Sequence, residues 1–284
     1  MATGTPDTQA GAGATSIAAL PAIGARTLVM GILNVTPDSF SDGGRFNALE
    51  AALGHAAEMV AEGADILDIG GESTRPGSSE VSAEEEIARV VPVIERLAKQ
   101  TATPISIDTY KAATARRALE AGARIVNDVW GLQREPDIAR VAADFGAPVV
   151  VMHNRTEVVP ELDILADMTA FFERSAEIAT RAGIPRDHII VDPGIGFGKT
   201  IEQNLTALKV TPDLKKLGFR VLIGTSRKSL IGRLLDRGPN ERLFGTIASN
   251  VVTVTLGADI VRVHDVLAHV EAVRVADAIL RGRP

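Results

Sequence analysis

Ile66-Leu67-Asp68-Ile69-Gly70-Gly71-Glu72 is a short aliphatic run that stops in two glycines and a carboxylate. Such a run fits a strand buried on both faces, as in a parallel sheet. Downstream, Ser82-Ala83-Glu84-Glu85 is a capping box. It opens a helical stripe of Ile87, Val90, Val91, Ile94 and Leu97. The same unit of run, polar ending and helix recurs along the chain. Residues 29–33 run into Asn34, 105–107 into Asp108, and 125–126 into Asn127-Asp128. Residues 149–152 run into His153-Asn154, and 189–191 into Asp192. Residues 221–223 run into Gly224-Thr225-Ser226-Arg227-Lys228, and 260–263 into His264. Helices are expected near 47–61, 110–120 (capped by Thr109 and closed by Gly122), 136–144, 164–181, 201–217, 241–256 and 266–280. Eight strands alternating with about eight helices favour a single (β/α)8 TIM barrel over an open doubly wound sheet. Its active site is then expected at the C-terminal ends of the strands.

The chain has 284 residues, an ordinary length for such a barrel. A net charge of −6 argues against a general nucleic-acid or membrane-surface binder. No apolar run is long enough to span a bilayer. Without cysteine there is no disulfide, thiolate metal site or Cys nucleophile, and a cytoplasmic location is expected. The first twenty residues are rich in Ala, Gly and Thr, with no Lys or Arg before Arg26. They lack the basic region of a signal peptide and the Arg-rich face of a transit peptide. A flexible tail over residues 1–24 and one barrel domain over residues 25–284 are expected.

The strand-end loops that carry information are 36–46, 72–81, 193–200 and 224–230. Asp192-Pro193-Gly194-Ile195-Gly196-Phe197-Gly198-Lys199-Thr200 resembles nucleotide motifs only on the surface. A P-loop would need Gly where Pro193 stands, and in a dinucleotide fingerprint the third Gly would come one residue later. Such a segment can be a mere tight turn, yet Asp192 and Lys199 bracket it at a strand end and favour a binding loop. Ser226-Arg227-Lys228-Ser229 beside Arg262 and His264 gathers cations on the last two strands, where barrels often bind anions. Arg75 would add a third cation to that mouth. Asp68, Asp108 and Asp192 are costly at an apolar barrel end unless paired with a cation or bonded to a ligand. His55, His188 and His269 have no partner spacing, and no zinc or calcium motif is present, so an all-protein metal site is not expected. Trp130, the only Trp, follows a strand end and is either packing or pocket wall.

Together these segments resemble the dihydropteroate synthase family. The likeness lies in Gly31-Ile32-Leu33-Asn34-Val35-Thr36-Pro37-Asp38-Ser39-Phe40-Ser41-Asp42-Gly43-Gly44 and Asp68-Ile69-Gly70-Gly71-Glu72-Ser73-Thr74-Arg75-Pro76-Gly77. It continues through Ser106-Ile107-Asp108-Thr109, Asn127-Asp128, Met152-His153, residues 192–199, residues 226–229 and Arg262-Val263-His264-Asp265. The resemblance implies a pterin-binding barrel that joins 6-hydroxymethyl-7,8-dihydropterin diphosphate to 4-aminobenzoate and releases diphosphate. It implies catalytic roles for Asp108, Lys228, Asp192 and Asp38. It implies a pterin pocket of Asp68, Asp108, Asn127, Met152, Asp192 and Lys228. Diphosphate is expected at Asn34, Thr74, Arg75, Arg262 and His264, with Mg2+ bridging through Asn34. Aminobenzoate is expected at Phe40, Pro76, Phe197, Lys228 and Ser229. Small-molecule substrates, sulfonamide inhibitors and a homodimer follow from the same likeness, and Gly196-Phe197-Gly198 has no extra residue of the sulfonamide-insensitive kind.

The residue types suit that chemistry. Cations and a metal neutralise diphosphate as a leaving group, while an electron-rich pterin spreads positive charge that Asp108 and Asp192 would stabilise. An aromatic amine is neutral at physiological pH and needs no strong base, which matches the lack of a Ser-His-Asp or Cys-His arrangement. An SN1-like displacement is therefore expected. A corrinoid-type pterin methyltransferase would share the pocket but would not need Arg75, Arg262 and His264. A Schiff-base aldolase using Lys228 would want that lysine inside a strand, and a non-catalytic binding module would not need so complete a reactive set.

Overall fold

The computed structural model describes residues 19–20, 23–36, 44–73 and 80–282, without the side chains of 44–47. The strands are β1 (Leu28–Asn34), β2 (Ile66–Gly70), β3 (Ile105–Asp108), β4 (Ile125–Asp128), β5 (Val149–Met152), β6 (Ile189–Asp192), β7 (Arg220–Ile223) and β8 (Ile260–Val263). They pair in parallel, each with its sequence neighbour, and β8 pairs with β1 to close the barrel. The helices between and after them are α1 (Gly44–Ala61), α2 (Ala83–Gln100), α3 (Ala112–Ala121), α4 (Asp137–Asp144) and α5 (Ile164–Ala182). They continue as α6 (Ile201–Lys209), α7 (Thr211–Lys216), α8 (Ser229–Leu235), α9 (Leu243–Thr255) and α10 (Val266–Arg281). This is the expected (β/α)8 barrel.

The two-residue period of a strand sorts its side chains between two environments. Val29, Leu33, Leu67, Ile69, Ile107, Val126, Val151, Val191 and Val261 face outward into the layer shared with the helices. Leu28, Met30, Ile66, Ile125, Val150, Ile190, Leu222 and Ile260 fill the barrel interior as an apolar plug. Full burial of one such side chain is worth roughly 1.5–3 kcal/mol. Leu20 and Ile23, which fall within the stretch 1–24, pack beneath that plug. Above the plug the inward positions turn polar. Asp68 lies across from Ser106, Asp108 across from Asn127, and Met152 across from Asp192. The plug is thus a floor on which a polar mouth stands.

Several element boundaries differ from the sequence reading. The helix expected over 201–217 is broken into α6 and α7, because Pro212 lacks an N–H and sits at the first turn of α7. A short 3-10 turn, Pro239–Glu241, precedes α9. Thr109 does not cap α3, which starts at Ala112; its hydroxyl donates instead to buried Glu86 and accepts from the Lys111 N–H. Of the Ser82 box, the Ser82 Oγ bond from the Glu85 N–H is present at 3.2 Å. Helix α8 begins where a loop over 224–230 was expected.

Candidate active site

The floor of the mouth is built around Arg262 on β8. Its Nε donates to Asp68 Oδ2 and its Nη2 to Asp108 Oδ2, both at 2.6 Å. Asn127 Nδ2 donates to the same Asp68 oxygen at 3.1 Å. One guanidinium fork therefore straps two carboxylates from adjacent strands, a geometry that suits Arg rather than Lys. Three buried atoms beside the strap have no protein partner: Asp68 Oδ1, Ser106 Oγ and Asp108 Oδ1. Burial pushes the Asp108 carboxyl up to about 7, against the attraction of Arg262 and with repulsion from Asp68. Burial works to lower the Arg262 pKa, but Asp68 and Asp108 outweigh it and the net shift is upward.

The next group joins β6 to β7. Burial raises the Asp192 pKa, while Lys228 and the Gly194 N–H, which donates to Asp192 Oδ1 at 2.7 Å, pull it down. Lys228 Nζ donates to the Ile195 carbonyl at 2.5 Å and stands 4.6 Å over the Phe197 ring. Burial lowers its pKa to about 8, and Asp192 opposes that shift. The residue before it, Arg227, holds a left-handed φ of 57°, which is uncommon for a side-chain-bearing residue. The Arg227 conformation is fastened from outside: its guanidinium pairs with Asp265, and its carbonyl accepts from Arg242 at 2.8 Å. Ser226 Oγ bonds His264 Nδ1 at 2.9 Å and accepts from the His264 N–H at 3.1 Å.

Over these residues opens a cleft of about 920 Å³ whose walls include Phe197, Ser229, Tyr110, Trp130, Arg134 and Arg155. Met152 packs with Tyr110, Val129, Trp130 and Phe197 at its base. The fifth strand ending braces the mouth. His153 Nε2 bonds Asp167 at 2.9 Å, and Asn154 Nδ2 donates to the Val129 carbonyl at 3.0 Å. Burial, aided by Lys199, lowers the His153 pKa to about 4, against the pull of Asp167.

The sequence-derived residues Asp68, Asp108, Asn127 and Arg262 form one bonded group, and Asp192, Lys228 and Phe197 form a second. Arg262, expected with diphosphate, lies among the residues expected around the pterin. His264 sits beside Ser226, and Ser229 opens α8 on the cleft. Asn34 ends β1 half-buried; its Oδ1 and Asp108 Oδ2 both approach the space beside Gly70 where a Cβ would stand, at 3.9 and 3.8 Å. Asp38, Phe40, Thr74, Arg75 and Pro76 lie outside the described residues. Among the described residues no group of three or more His, Asp or Glu could hold a metal ion. Ser106 was not singled out from the sequence, although its position two before Asp108 on the same strand face was the available signal. Tyr110 and Arg134 were also missed, because they reach the cleft from α3 and α4 lead-ins rather than from strand ends.

A family model described as pterin binding enzyme matches residues 30–264. The dihydropteroate synthase of Bacillus subtilis is 52% identical over 255 residues, which cover 90% of this chain and 89% of that protein. A crystal structure of a dihydropteroate synthase from Clostridium difficile, obtained in the presence of pteroic acid, superposes with a TM-score of 0.89 at 51% identity, covering 91% of this chain and 98% of that one. The Xanthomonas albilineans dihydropteroate synthase in complex with 7,8-dihydropteroate superposes with a TM-score of 0.82 at 44% identity, covering 90% and 94% of the two chains. With a matching model across most of its length and relatives near half identity over nine-tenths of it, the chain belongs to the dihydropteroate synthase family of pterin-binding enzymes.

Proposed function

We propose that the barrel mouth joins 6-hydroxymethyl-7,8-dihydropterin diphosphate to 4-aminobenzoate, forming 7,8-dihydropteroate and releasing diphosphate. The observation that carries this is the set of partnerless buried atoms, Asp68 Oδ1, Ser106 Oγ and Asp108 Oδ1. A buried polar atom left unpaired costs about 1–3 kcal/mol, and a flat heterocycle with several ring and amino N–H groups would supply the missing donors. Asn127, Met152, Asp192 and Lys228 complete that pocket. Asp108 and Asp192 face the carbon that loses diphosphate and stabilise the positive charge spreading from it into the pterin ring, so the displacement is SN1-like. The amine then attacks from the cleft walled by Phe197 and Ser229, with Phe40 and Pro76 assigned to the same site. Arg75, Arg262 and His264 offset the charge of the leaving diphosphate, Asn34 and Thr74 bond it, and Asp38 is assigned a catalytic part.

The amide oxygen of Asn34, at the half-buried end of β1, is a hard donor at the mouth, which suits Mg2+ carried in by the diphosphate. Asn34 would hold the ion, and bound there it would supply further neutralisation of the leaving group. Sulfonamides are assigned to the amine site. We assign the enzyme to the cytoplasm and to a homodimer, whose contact face would be the exposed Phe244 and Val252 of α9 and Val275 and Ile279 of α10. No helix among the described residues is long and apolar enough to cross a membrane.

The test is product formation from the pterin diphosphate and 4-aminobenzoate with Mg2+ present, run on the wild type and on Lys228→Ala. The wild type is expected to turn over, and the variant to lose at least about a hundredfold in kcat/KM, about 2.7 kcal/mol of transition-state stabilisation. An inactive wild type would overturn the assignment.

A further inference from the structure

We infer that Lys199 is a positioning residue for the amine half of the reaction: its ammonium ties the turn after β6 to the end of β5, and through that turn it sets Phe197 and the carbonyl that anchors Lys228. The inference rests on the function proposed for the cleft and assigns a part to a residue which that proposal leaves unused.

Lys199 Nζ donates to the Gly194 carbonyl at 2.8 Å, to the Phe197 carbonyl at 3.1 Å and to the His153 carbonyl at 3.3 Å. Burial lowers the Lys199 pKa to about 7, with Asp192 opposing. The charged form has three N–H donors and no acceptor, so all three protons are then committed to backbone. The residue is only 8% exposed. In that charged form Lys199 has no donor left for a ligand. It is an internal clamp, with two of its bonds inside the turn and the third on β5.

The clamp works against a hard stop at the same β5 ending. A Cβ on Gly194 would overlap the His153 carbonyl oxygen, and a Cβ on Gly198 would meet the backbone and Cβ of Arg155 closely. The turn is thus already pressed on the β5 ending and cannot move further toward it, while Lys199 prevents it from lifting away. Asn204 adds a second tie, accepting from the Gly196 N–H at 2.7 Å and donating to the Lys199 and Thr200 carbonyls at 3.2 and 2.7 Å. Two features on the reacting side depend on the height of this turn. The Ile195 carbonyl holds Lys228 Nζ, and the Phe197 ring forms a wall of the cleft and lies under the same ammonium. The Asp68–Arg262–Asp108 strap and Asn127 hang on β2, β3, β4 and β8 and make no bond to the turn. Asp192 and Lys228, which the pterin pocket shares, do touch the turn through the Gly194 N–H and the Ile195 carbonyl. Loosening the turn should then harm the amine site most and the pterin side less.

The experiment is steady-state kinetics of the full chain with Mg2+, varying each substrate in turn, for wild type, Lys199→Met and Lys199→Arg. Lys199→Met keeps most of the stem and removes the donors. Its KM for 4-aminobenzoate is expected to rise about tenfold or more, with the KM for the pterin diphosphate rising by a clearly smaller factor. Lys199→Arg keeps charge and donors and is expected to recover most of the loss. Equal rises in both KM values, a fall in kcat alone, or no rescue by Arg would each overturn the inference. Should Lys199→Met fail to fold, Lys199→Gln, a shorter side chain with two donors, decides: a KM rise larger for the amine than for the pterin diphosphate supports the clamp, and wild-type or unselective kinetics refute it. An active wild type with unselective variants refutes the clamp alone, whereas an inactive wild type refutes the proposed function and the clamp together.

Discussion

Lys228 illustrates how one residue couples site and fold with opposite signs. Its ordinary pKa of 10.5 is lowered to about 8 by burial, opposed by Asp192 and Asp108 and reinforced by Arg262. Between about 8 and 10.5 the unfolded chain binds this proton more tightly than the folded one. The group's contribution to stability is therefore fully present above 10.5 and lost as pH falls through about 8. Catalysis needs the charged form and runs the other way. We expect kcat/KM to fall with a slope of one decade per pH unit above about 8, while stability from this group rises over the same range. Lys228→Arg, charged throughout, should move that limb out of the accessible range even if it lowers the plateau. A pH–rate profile of the two proteins decides the matter, and an unchanged basic limb in Lys228→Arg would assign it to another group.

Among the elements, the strands were legible because burial on both faces leaves a nearly continuous aliphatic run. Their polar endings were legible because a parallel barrel brings all eight to one rim. The helices were less so. Pro212 was hidden in a segment whose apolar spacing reads through it, and α8 was masked by a motif that looks like loop. The cross-barrel strap was not legible either, since Arg262 meets Asp68 and Asp108 across 194 and 154 residues of chain. Sequence showed three carboxylates and a nearby cation but not which would meet. Turns gave a further lesson: the loop after β6, expected as a binding loop, lines the cleft, and two of its glycines, Gly194 and Gly198, also approach the end of β5 closely. Gly194 and Gly146 share nearly the same φ, 64° and 62°. Gly146 has open space where a Cβ would go, and Gly194 has the His153 carbonyl oxygen. Gly146→Ala should thus cost only the left-handed penalty, roughly 1–2 kcal/mol, and Gly194→Ala about 2 kcal/mol more from the clash. Urea denaturation of both variants measures the gap, and equal losses would mean that the turn yields without strain.

At the scale of the whole molecule, the apolar plug and the polar mouth divide the labour between stability and binding. The plug residues satisfy themselves by contact, but the mouth holds acceptors without a protein partner that a ligand can complete in place of water. A ligand that binds the folded chain alone stabilises it by mass action, by about 2.7 kcal/mol at 100 times its Kd. For a domain somewhat larger than 200 residues, each kcal/mol moves Tm by roughly 2–4 °C. Saturating pterin diphosphate should therefore raise Tm by roughly 5–10 °C in a thermal melt. Asp68→Ala removes the orphaned Oδ1 and the partner of both Arg262 and Asn127. It should lower the ligand-free Tm, because a buried guanidinium loses one of its two carboxylates, and it should abolish most of the ligand-induced rise. 4-Aminobenzoate alone should shift the wild type and the variant alike, because its walls at Phe197 and Ser229 do not include Asp68. A variant that keeps the full pterin-dependent shift would show that the orphaned oxygens are not the pterin's partners, and the functional assignment of the floor would fall with them.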